Sequence, residues 1–199
     1  MIGNDVVDLS LAKKQSNWQR PRFIEKIFTK QEQTEINSAK DPDFLVWLFW
    51  SMKESAYKAH QRIENFSPRF NPWQLECSLQ EVSAEKIIGK VNLGASSFYT
   101  SSTYADNCIF TSAASEKNLQ IFHQKVANKS LKEELLKSIS EKEQILLKEL
   151  HIIKNENQIP QLYQLENLLD IPFSISHHGD KSAFVLLNKK TAYLKINGF

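Results

Sequence analysis

The chain has 199 residues, of which 41% are hydrophobic and 24% are charged, and its formal net charge is +2. This composition is typical of a globular protein with enough apolar residues for a substantial core, and it excludes the strongly charged disordered classes. The small net charge gives no general reason to expect a nucleic-acid partner.

The sequence pattern predicts a cytoplasmic protein that does not enter a membrane. The first ten residues include two aspartates instead of the apolar run of a signal peptide, and no apolar stretch of 18 residues occurs. In the cytoplasm Cys77 and Cys108 would stay reduced, and their spacing is not that of a zinc site. We interpret both cysteines as partly buried strand residues.

The opening segment IGNDVVDL is rich in β-branched residues and is predicted to be a short strand. Gly3 and Asn4 inside it indicate a bend or a bulge. This strand places Asp5 in or beside a sheet.

A basic segment follows at residues 11–30. It contains six basic residues against the single acid Glu25, which gives a local charge of +5. Most of the excess positive charge of the chain therefore lies here. The basic residues are Lys13, Lys14, Arg20, Arg22, Lys26 and Lys30.

Asp41 followed by Pro42 predicts the start of a long helix, because an acceptor side chain caps the first turn and proline fits the first helical position. Residues 44–50 are all apolar, so we expect two turns with no solvated face and a helix that runs through the centre of the domain. Helical spacing places a set of larger and charged side chains on one stripe. These are Trp50, Lys53, Glu54, Tyr57 and Lys58.

Alternating apolar and polar residues then predict several antiparallel strands up to about residue 115. A second long helix is predicted from residue 128 to residue 150, with a capping box formed by Ser130 and Glu133 and one buried stripe. The segment PFSISHHGDKSAFVLL predicts two more strands joined by a polar turn. The buried stripe comprises Leu131, Leu135, Leu136, Ile139, Leu146, Leu147 and Leu150.

Strands and a long helix thus occur twice along the chain. We predict an α+β fold of two similar halves, each an antiparallel sheet packed against a long helix, related by a pseudo-twofold axis. A boundary near Glu116 divides the chain into a first half, residues 1–115, and a second half, residues 116–199.

Glu54 and Lys58 lie one turn apart on an otherwise apolar helix, where a buried charge is costly unless it is paired or bound to a metal. One interpretation is a mutual i,i+4 ion pair on an exposed last turn. Asp5 alone is likewise more often a turn or edge residue than a metal ligand. These residue types by themselves leave both alternatives open.

Three segments together favour a function. IGNDVVDL, WSMKESAYKA and FSISHHGDKSAFV resemble, in this order, the three signature motifs of the phosphopantetheinyl transferase superfamily: a Gly-x-Asp metal motif, a Lys-Glu helix and a Ser-His strand. A fourth stretch, RFIEKIFTKQE, resembles a segment of the holo-acyl-carrier-protein synthases. The resemblance touches most of the chain.

The resemblance implies a reaction and a set of site residues. Asp5 and Glu54 would bind Mg²⁺, and Lys58 would lie beside the phosphates of coenzyme A. Ser176 and His177 would contact the coenzyme A phosphates, whereas strand alternation makes His178 a solvent-facing neighbour. The enzyme would transfer the 4′-phosphopantetheine group to a serine of an acidic apo carrier protein and release 3′,5′-adenosine bisphosphate, with Glu54 or a metal-bound water as the base.

The chain departs from the family pattern at several positions. Val7 stands where surfactin-type members often have a second acid, and Asp8 stands where synthase-type members have one, so a metal contact by Asp8 is open. The family's Gly-Lys-Pro is here Gln158-Ile159-Pro160, and Ser174 stands where family members often have an asparagine, two residues before the serine of the Ser-His pair. These changes affect the expected coenzyme A contacts more than the metal site.

The metal motifs precede the Ser-His motif here, the reverse of surfactin-type chains, which indicates a circularly permuted enzyme with both halves in one chain. We therefore expect a monomer that binds coenzyme A between residues 1–115 and 116–199. Two alternatives remain: a degenerate member that binds carrier protein or coenzyme A without catalysis, and a structural α+β module.

Overall fold

A computed structural model describes residues 1–117, residue 119 and residues 121–187. It is an α+β protein with antiparallel sheets, as predicted. The elements of the first half are β1 (Ile2–Asp8), α1 (Leu9–Gln15), α2 (Phe23–Ile27), α3 (Lys30–Ser38), α4 (Pro42–Glu64), β2 (Glu76–Val82), β3 (Ile87–Leu93), β4 (Ser96–Ala105) and β5 (Cys108–Ala114).

The long helix α4 begins where the sequence predicts. The Asp41 side chain accepts a hydrogen bond from the backbone N–H of Phe44 at 3.0 Å, and Pro42 occupies the first turn. No residue from 44 to 50 is exposed. The helix packs against a five-stranded antiparallel sheet with the order β1-β5-β4-β3-β2, and this confirms its central position.

The predicted bend at Gly3 and Asn4 is wrong. Strand β1 pairs with β5 in one regular register from Ile2 opposite Ala114 to Asp8 opposite Cys108. Gly3 is required for another reason, because a Cβ atom there would overlap the carbonyl oxygen of Ser55 in α4. The glycine allows the strand to lie directly on the helix.

In its described residues the second half contains two three-stranded antiparallel sheets, β10-β11-β6 and β7-β8-β9, and one α-helix. Residues 188–199, which belong to the predicted second half, lie outside the described residues. The elements are β6 (Ile121–Ala127), α5 (Leu131–Glu143), β7 (Leu150–Lys154), β8 (Pro160–Gln164), β9 (Asn167–Leu169), β10 (Phe173–His178) and β11 (Lys181–Leu187).

Helix α5 is shorter than predicted. It ends at Glu143, followed by Gln144 at a positive φ of 56°, and Leu150 starts a strand. Leu146 and Leu147, which were assigned to the buried stripe, are exposed. Leu131, Leu135 and Ile139 are buried as predicted.

The predicted capping box of helix α5 is also absent. The Ser130 side chain makes no capping hydrogen bond. The Glu133 carboxylate instead pairs with Lys137 at 2.7 Å, one turn further along the helix. An i,i+4 pair of this kind occupies the side chain that the capping box requires.

Strand β1 joins the two halves. It packs against β10 and β11, and a cluster of buried apolar residues is shared by β1, β5 and β11. The predicted boundary near Glu116 and the pseudo-twofold axis remain predictions. No helix in the described part of the chain is long and apolar enough to cross a membrane.

Candidate active site

Two carboxylates from different elements share one cleft, Asp5 on β1 and Glu54 on α4. One oxygen of Asp5, Oδ1, accepts a hydrogen bond from Lys58 at 3.2 Å. The other, Oδ2, is buried and has no hydrogen-bond partner among the described residues. A buried carboxylate oxygen without a donor is costly, so this position calls for a cation or a donor from a ligand.

Glu54 is partly buried, and the pKa of its carboxyl departs strongly from the ordinary value. The pKa of this carboxyl is raised from 4.5 to about 7, first by burial and then by the negative charge of Asp5, whereas the positive charge of Lys58 acts in the lowering direction. Two acids that oppose each other's ionisation are the usual arrangement around a divalent cation or a shared proton.

These residues fit a magnesium ion. Mg²⁺ is usually held by one or two carboxylates, and waters and substrate phosphate oxygens complete its coordination. The unpartnered Asp5 oxygen and the Glu54 carboxylate would supply two such ligands. Among the described residues no group of three or more potential ligands occurs, so the donor set suits a metal that shares its coordination with a substrate better than a closed structural site.

Lys58 is tied to the same site from α4. Its ammonium donates to the backbone oxygen of Asn4 at 2.9 Å and to Asp5 at 3.2 Å, and about a quarter of the side chain is exposed. The interpretation of Glu54 and Lys58 as a mutual ion pair is therefore wrong, because the salt-bridge partner of Lys58 among the described residues is Asp5.

The cleft has a volume of about 500 Å³. His177 and His178 at the end of β10 line it together with Asp5 and Glu54, so residues of both predicted halves form one site. Aromatic and basic residues also line the cleft, among them Trp47, Trp50, Arg20 and Phe23. A largely apolar lining with a few polar groups is the usual composition of a small-molecule site.

The two residues of the Ser-His motif lie in different surroundings. His177 is exposed and lines the cleft, as expected for a residue that contacts a ligand. Ser176 is 4% exposed, and its hydroxyl accepts a hydrogen bond from the Asn4 side chain at 2.7 Å. The structure therefore brings His177 together with the carboxylates, whereas Ser176 lies in the contact between β1 and the second half.

His178 is not the solvent-facing residue that alternation predicts. Its Nδ1 accepts the backbone N–H of Asp8 at 3.1 Å, and its Nε2 lies 3.1 Å from the side-chain oxygen of Gln15. The Asp8 carboxylate caps helix α1 by accepting the N–H of Leu11 at 3.0 Å. The contacts of Asp8 are thus those of a helix cap.

Lys53 does not face the cleft, although helical spacing predicts that it shares one stripe of α4 with Glu54 and Lys58. Its ammonium is fully buried and bonds to Glu32 at 2.7 Å and to the backbone oxygens of Ile27, Pro72 and Leu75 at 3.0, 2.9 and 2.6 Å. This cation anchors the basic segment and the start of β2 to α4. Of the motif's charged residues, Glu54 lines the cleft, and Lys58 is connected to it through Asp5.

The basic segment, residues 11–30, covers one side of the cleft. All six of its basic side chains are exposed, and Arg20 lines the cleft directly above the Phe23 ring. Sequence reasoning missed Arg20 and Asn4 as site residues. A polar residue inside an apolar strand was the available signal for Asn4, since buried polar groups need specific partners.

Cys77 and Cys108 are both buried, free and located in strands. Their thiol pKa values are raised, first by burial, so neither is an activated nucleophile. They are more deeply buried than predicted.

Comparison with known proteins agrees with the motifs. No curated protein matches the chain. A protein-family model described as the 4′-phosphopantetheinyl transferase superfamily matches residues 1–121, the part that carries Asp5, Glu54 and Lys58. Because this match spans more than half of the sequence, the chain belongs to the 4′-phosphopantetheinyl transferase superfamily.

Proposed function

We propose that this protein is a magnesium-dependent enzyme that transfers 4′-phosphopantetheine from coenzyme A to a serine of an acidic apo carrier protein and releases 3′,5′-adenosine bisphosphate. The observation that carries this proposal is the unpartnered, buried Asp5 oxygen in one cleft with Glu54. Family membership supports transferase chemistry in general. The cation site supports transfer over binding alone.

Each site residue has a role in this reaction. Asp5 and Glu54 would hold Mg²⁺, which when bound offsets negative charge on the pyrophosphate. The Lys58 ammonium would attract a phosphate oxygen as a compact point charge. His177 at the rim would donate a hydrogen bond to a phosphate from the side of the second half.

The transfer needs one bond to form and one to break. The carrier serine Oγ bonds to the phosphorus that bears the pantetheine arm, and the bond from that phosphorus to the bridging oxygen of the pyrophosphate breaks. The bisphosphate leaves with the bonding electrons. The serine proton passes to Glu54, whose partly buried carboxyl has a raised pKa, or to solvent.

The carrier protein would dock on the basic segment. Its six basic side chains are exposed and one of them, Arg20, lines the cleft, so an acidic helix placed there would bring its serine close to the carboxylates. Charge complementarity of this kind increases the rate of encounter and weakens with added salt.

The proposal includes a monomeric enzyme, because Glu54 and His177 already meet in one chain. The opposing hypothesis is an apolar contact between copies of the chain. Its physical basis is a set of exposed leucines, Leu146, Leu147 and Leu165. Light scattering during turnover distinguishes the two. An obligate trimer that loses activity on dilution to monomer would contradict the monomeric enzyme. The cytoplasmic location expected from the sequence remains a prediction.

The decisive experiment incubates the protein with a panel of apo carrier proteins, coenzyme A and Mg²⁺ and searches for a phosphopantetheine adduct by mass spectrometry. We expect an adduct that is lost with EDTA, with Glu54→Gln and with a carrier whose modified serine is alanine. Binding of coenzyme A without an adduct on any carrier would favour the degenerate, noncatalytic member. A protein that shows no heat of binding for coenzyme A and Mg²⁺ would be a structural module.

A further inference from the structure

A separate cavity lies beside the connection between α4 and β2, residues 65–75, and it shares no lining residue with the active-site cleft. Its volume is about 380 Å³, which is within the range of small-molecule sites. The buried residues Tyr57 and Leu75 line it together with the half-buried His60. Because His60 and Lys58 project about 160° apart around the axis of α4, the cavity and the cleft lie on different sides of this helix.

His60 brings an unsatisfied ring nitrogen to this cavity. Its Nδ1 is buried and has no hydrogen-bond partner among the described residues. The ring packs against those of Phe66 and Phe98, with centroid distances of 5.4 and 6.0 Å, so aromatic contacts hold the imidazole in place. A buried polar atom without a partner is costly. A ligand that bonds to Nδ1 removes this cost.

The other polar groups of the cavity can all donate hydrogen bonds. The Tyr57 hydroxyl oxygen accepts the backbone N–H of Arg69 at 2.7 Å, and its proton has no acceptor within the described part of the chain. The Arg69 guanidinium is exposed and forms no salt bridge with any described residue. No lining residue is acidic, so one positive charge and several neutral donors favour a singly charged anion. The neutral donors include Ser67, Asn71 and Gln74.

Two sets of contacts hold the connection between α4 and β2 in place. The buried ammonium of Lys53 donates to the backbone oxygens of Pro72 and Leu75 at 2.9 and 2.6 Å. The Ser67 hydroxyl donates to the side-chain oxygen of Asn157 at 2.8 Å. A cavity whose wall is already fixed binds a ligand at a low cost in conformational entropy.

We propose that this cavity is a binding site for a small organic carboxylate with a flat apolar ring. The Arg69 guanidinium binds one carboxylate oxygen, and His60, with its proton on Nδ1, donates to the other. The ring of the ligand lies against Phe66, Leu75 and Leu93. Such a ligand satisfies the buried nitrogen and needs no cation besides Arg69. The site goes beyond the transfer reaction, because it lies apart from Asp5, Glu54 and Lys58.

The test is isothermal titration of the protein with benzoate, with benzamide as the uncharged counterpart and with inorganic phosphate as an anion without a ring. We expect benzoate to bind with a dissociation constant of about 1 mM or less. Benzamide and phosphate should each bind at least about tenfold more weakly, because one lacks the charge and the other lacks the apolar contact.

Matched arginine variants test the assignment of the charge. Arg69→Gln should reduce the preference for benzoate over benzamide to less than about threefold. The side chain of Arg69 is exposed, so this variant should fold normally. Arg22→Gln removes an arginine that is also exposed but lies outside the cavity, and it should keep the preference.

The imidazole of His60 reports on the cavity directly. In the 15N-labelled protein, benzoate should shift the Nδ1 resonance of His60 and leave that of His151, which is exposed on β7, in place. His60→Phe keeps an aromatic ring without Nδ1 and should lower the benzoate affinity at least about tenfold. If His60→Phe does not fold, the His60 resonance and Arg69→Gln decide the matter.

Competition with coenzyme A separates this site from the active site. Saturation with coenzyme A and Mg²⁺ should change the benzoate affinity by less than about twofold, since the two cavities share no lining residue. Displacement of benzoate by coenzyme A would overturn the proposal. So would the absence of saturable benzoate binding, equal affinities for benzoate and either comparison ligand, an unchanged preference in Arg69→Gln, or an unmoved His60 resonance. A protein that modifies a carrier but binds no benzoate would refute this site and leave the proposed function standing, and the reverse result would refute only the transfer reaction.

Discussion

Replacement of Lys53 by methionine should destabilise the protein severely without touching the cleft. The Lys53 ammonium and the Glu32 carboxylate are both fully buried and lie 2.7 Å apart. Methionine preserves most of the side-chain volume but removes the charge. The Glu32 carboxylate would then remain in the core without a cationic partner among the described residues, while the backbone N–H groups of Thr29 and Cys77 still donate to it, each at 2.7 Å.

The size of the expected loss of stability follows from the uncompensated charge of Glu32. Removal of one partner of a buried ion pair typically costs about 3–5 kcal/mol, because the remaining charge is uncompensated. Three backbone oxygens, those of Ile27, Pro72 and Leu75, also lose their donor, so we expect the upper part of this range. Lys53→Met/Glu32→Gln leaves no buried charge and should recover roughly 2 kcal/mol relative to the single lysine variant.

Urea unfolding monitored by circular dichroism at pH 7 gives the free energy of unfolding for the four proteins of this cycle. The exposed-surface control is Lys148→Met, which should change the free energy by less than about 0.5 kcal/mol. A loss below about 1 kcal/mol for Lys53→Met, or strictly additive effects in the double variant, would refute the reasoning.

Four further predictions concern the site. Glu54→Gln should reduce carrier modification by at least about 100-fold at unchanged thermal stability or better, because it removes the proposed metal ligand and candidate base. In EDTA the free energy of unfolding should fall by roughly 3 kcal/mol as the pH rises from about 4.5 to about 7. The reason is that folding raises the Glu54 pKa from 4.5 to about 7, so the unfolded chain loses this proton at a lower pH than the folded protein. His177→Ala should raise the Michaelis constant for coenzyme A about tenfold with little change in carrier affinity, through loss of a phosphate contact. Reversal of both Arg22 and Lys26 to glutamate should slow carrier association about tenfold at low salt, and the difference should shrink at high salt.

Matched variants control these measurements. Glu64→Gln, at the exposed end of α4, should keep both the activity and the pH dependence of stability. Glu54→Gln should abolish this pH dependence. His151→Ala removes another exposed imidazole and should leave the Michaelis constant unmoved. Reversal of Lys148 and Lys154, exposed in the second half, should leave carrier association unchanged. A Glu54→Gln protein with normal turnover would rule out the metal assignment, and equal effects of the two charge reversals would rule out a specific docking surface.

The parts of the fold that could be predicted from sequence are those in which local and tertiary preferences agree. The start of α4 has both a capping aspartate and a proline, and its unbroken apolar run has one stable location, the centre of the domain. Helix α5 shows the limit of this reasoning. Its apolar periodicity continues through Leu146 and Leu147, but the chain turns at Gln144, and these leucines lie exposed before β7.

The position of Lys53 could not be predicted, because helical spacing alone does not say which neighbour a charged side chain meets. Lys53 and Glu54 are adjacent in sequence and point to different surroundings: one to the interior against Glu32, the other to the cleft with Asp5. Successive helical residues lie about 100° apart, so a stripe drawn through both is too wide. Glu32 is itself recruited from a separate helix, 21 residues earlier.

Strand alternation explains how the second half positions the candidate metal ligand Asp5. Asn4 and Asp5 are consecutive on β1 and therefore face opposite directions. Asn4 binds the Ser176 hydroxyl at 2.7 Å and the backbone oxygen of Ala183 at 3.1 Å, and its N–H donates to the Ser174 hydroxyl at 3.2 Å. These bonds fix the rotation of β1 about its axis, and that rotation turns Asp5 toward Glu54. The two residues of the Ser-His motif thus have different roles. Ser176 holds β1 in place, whereas the neighbouring His177 is exposed at the cleft.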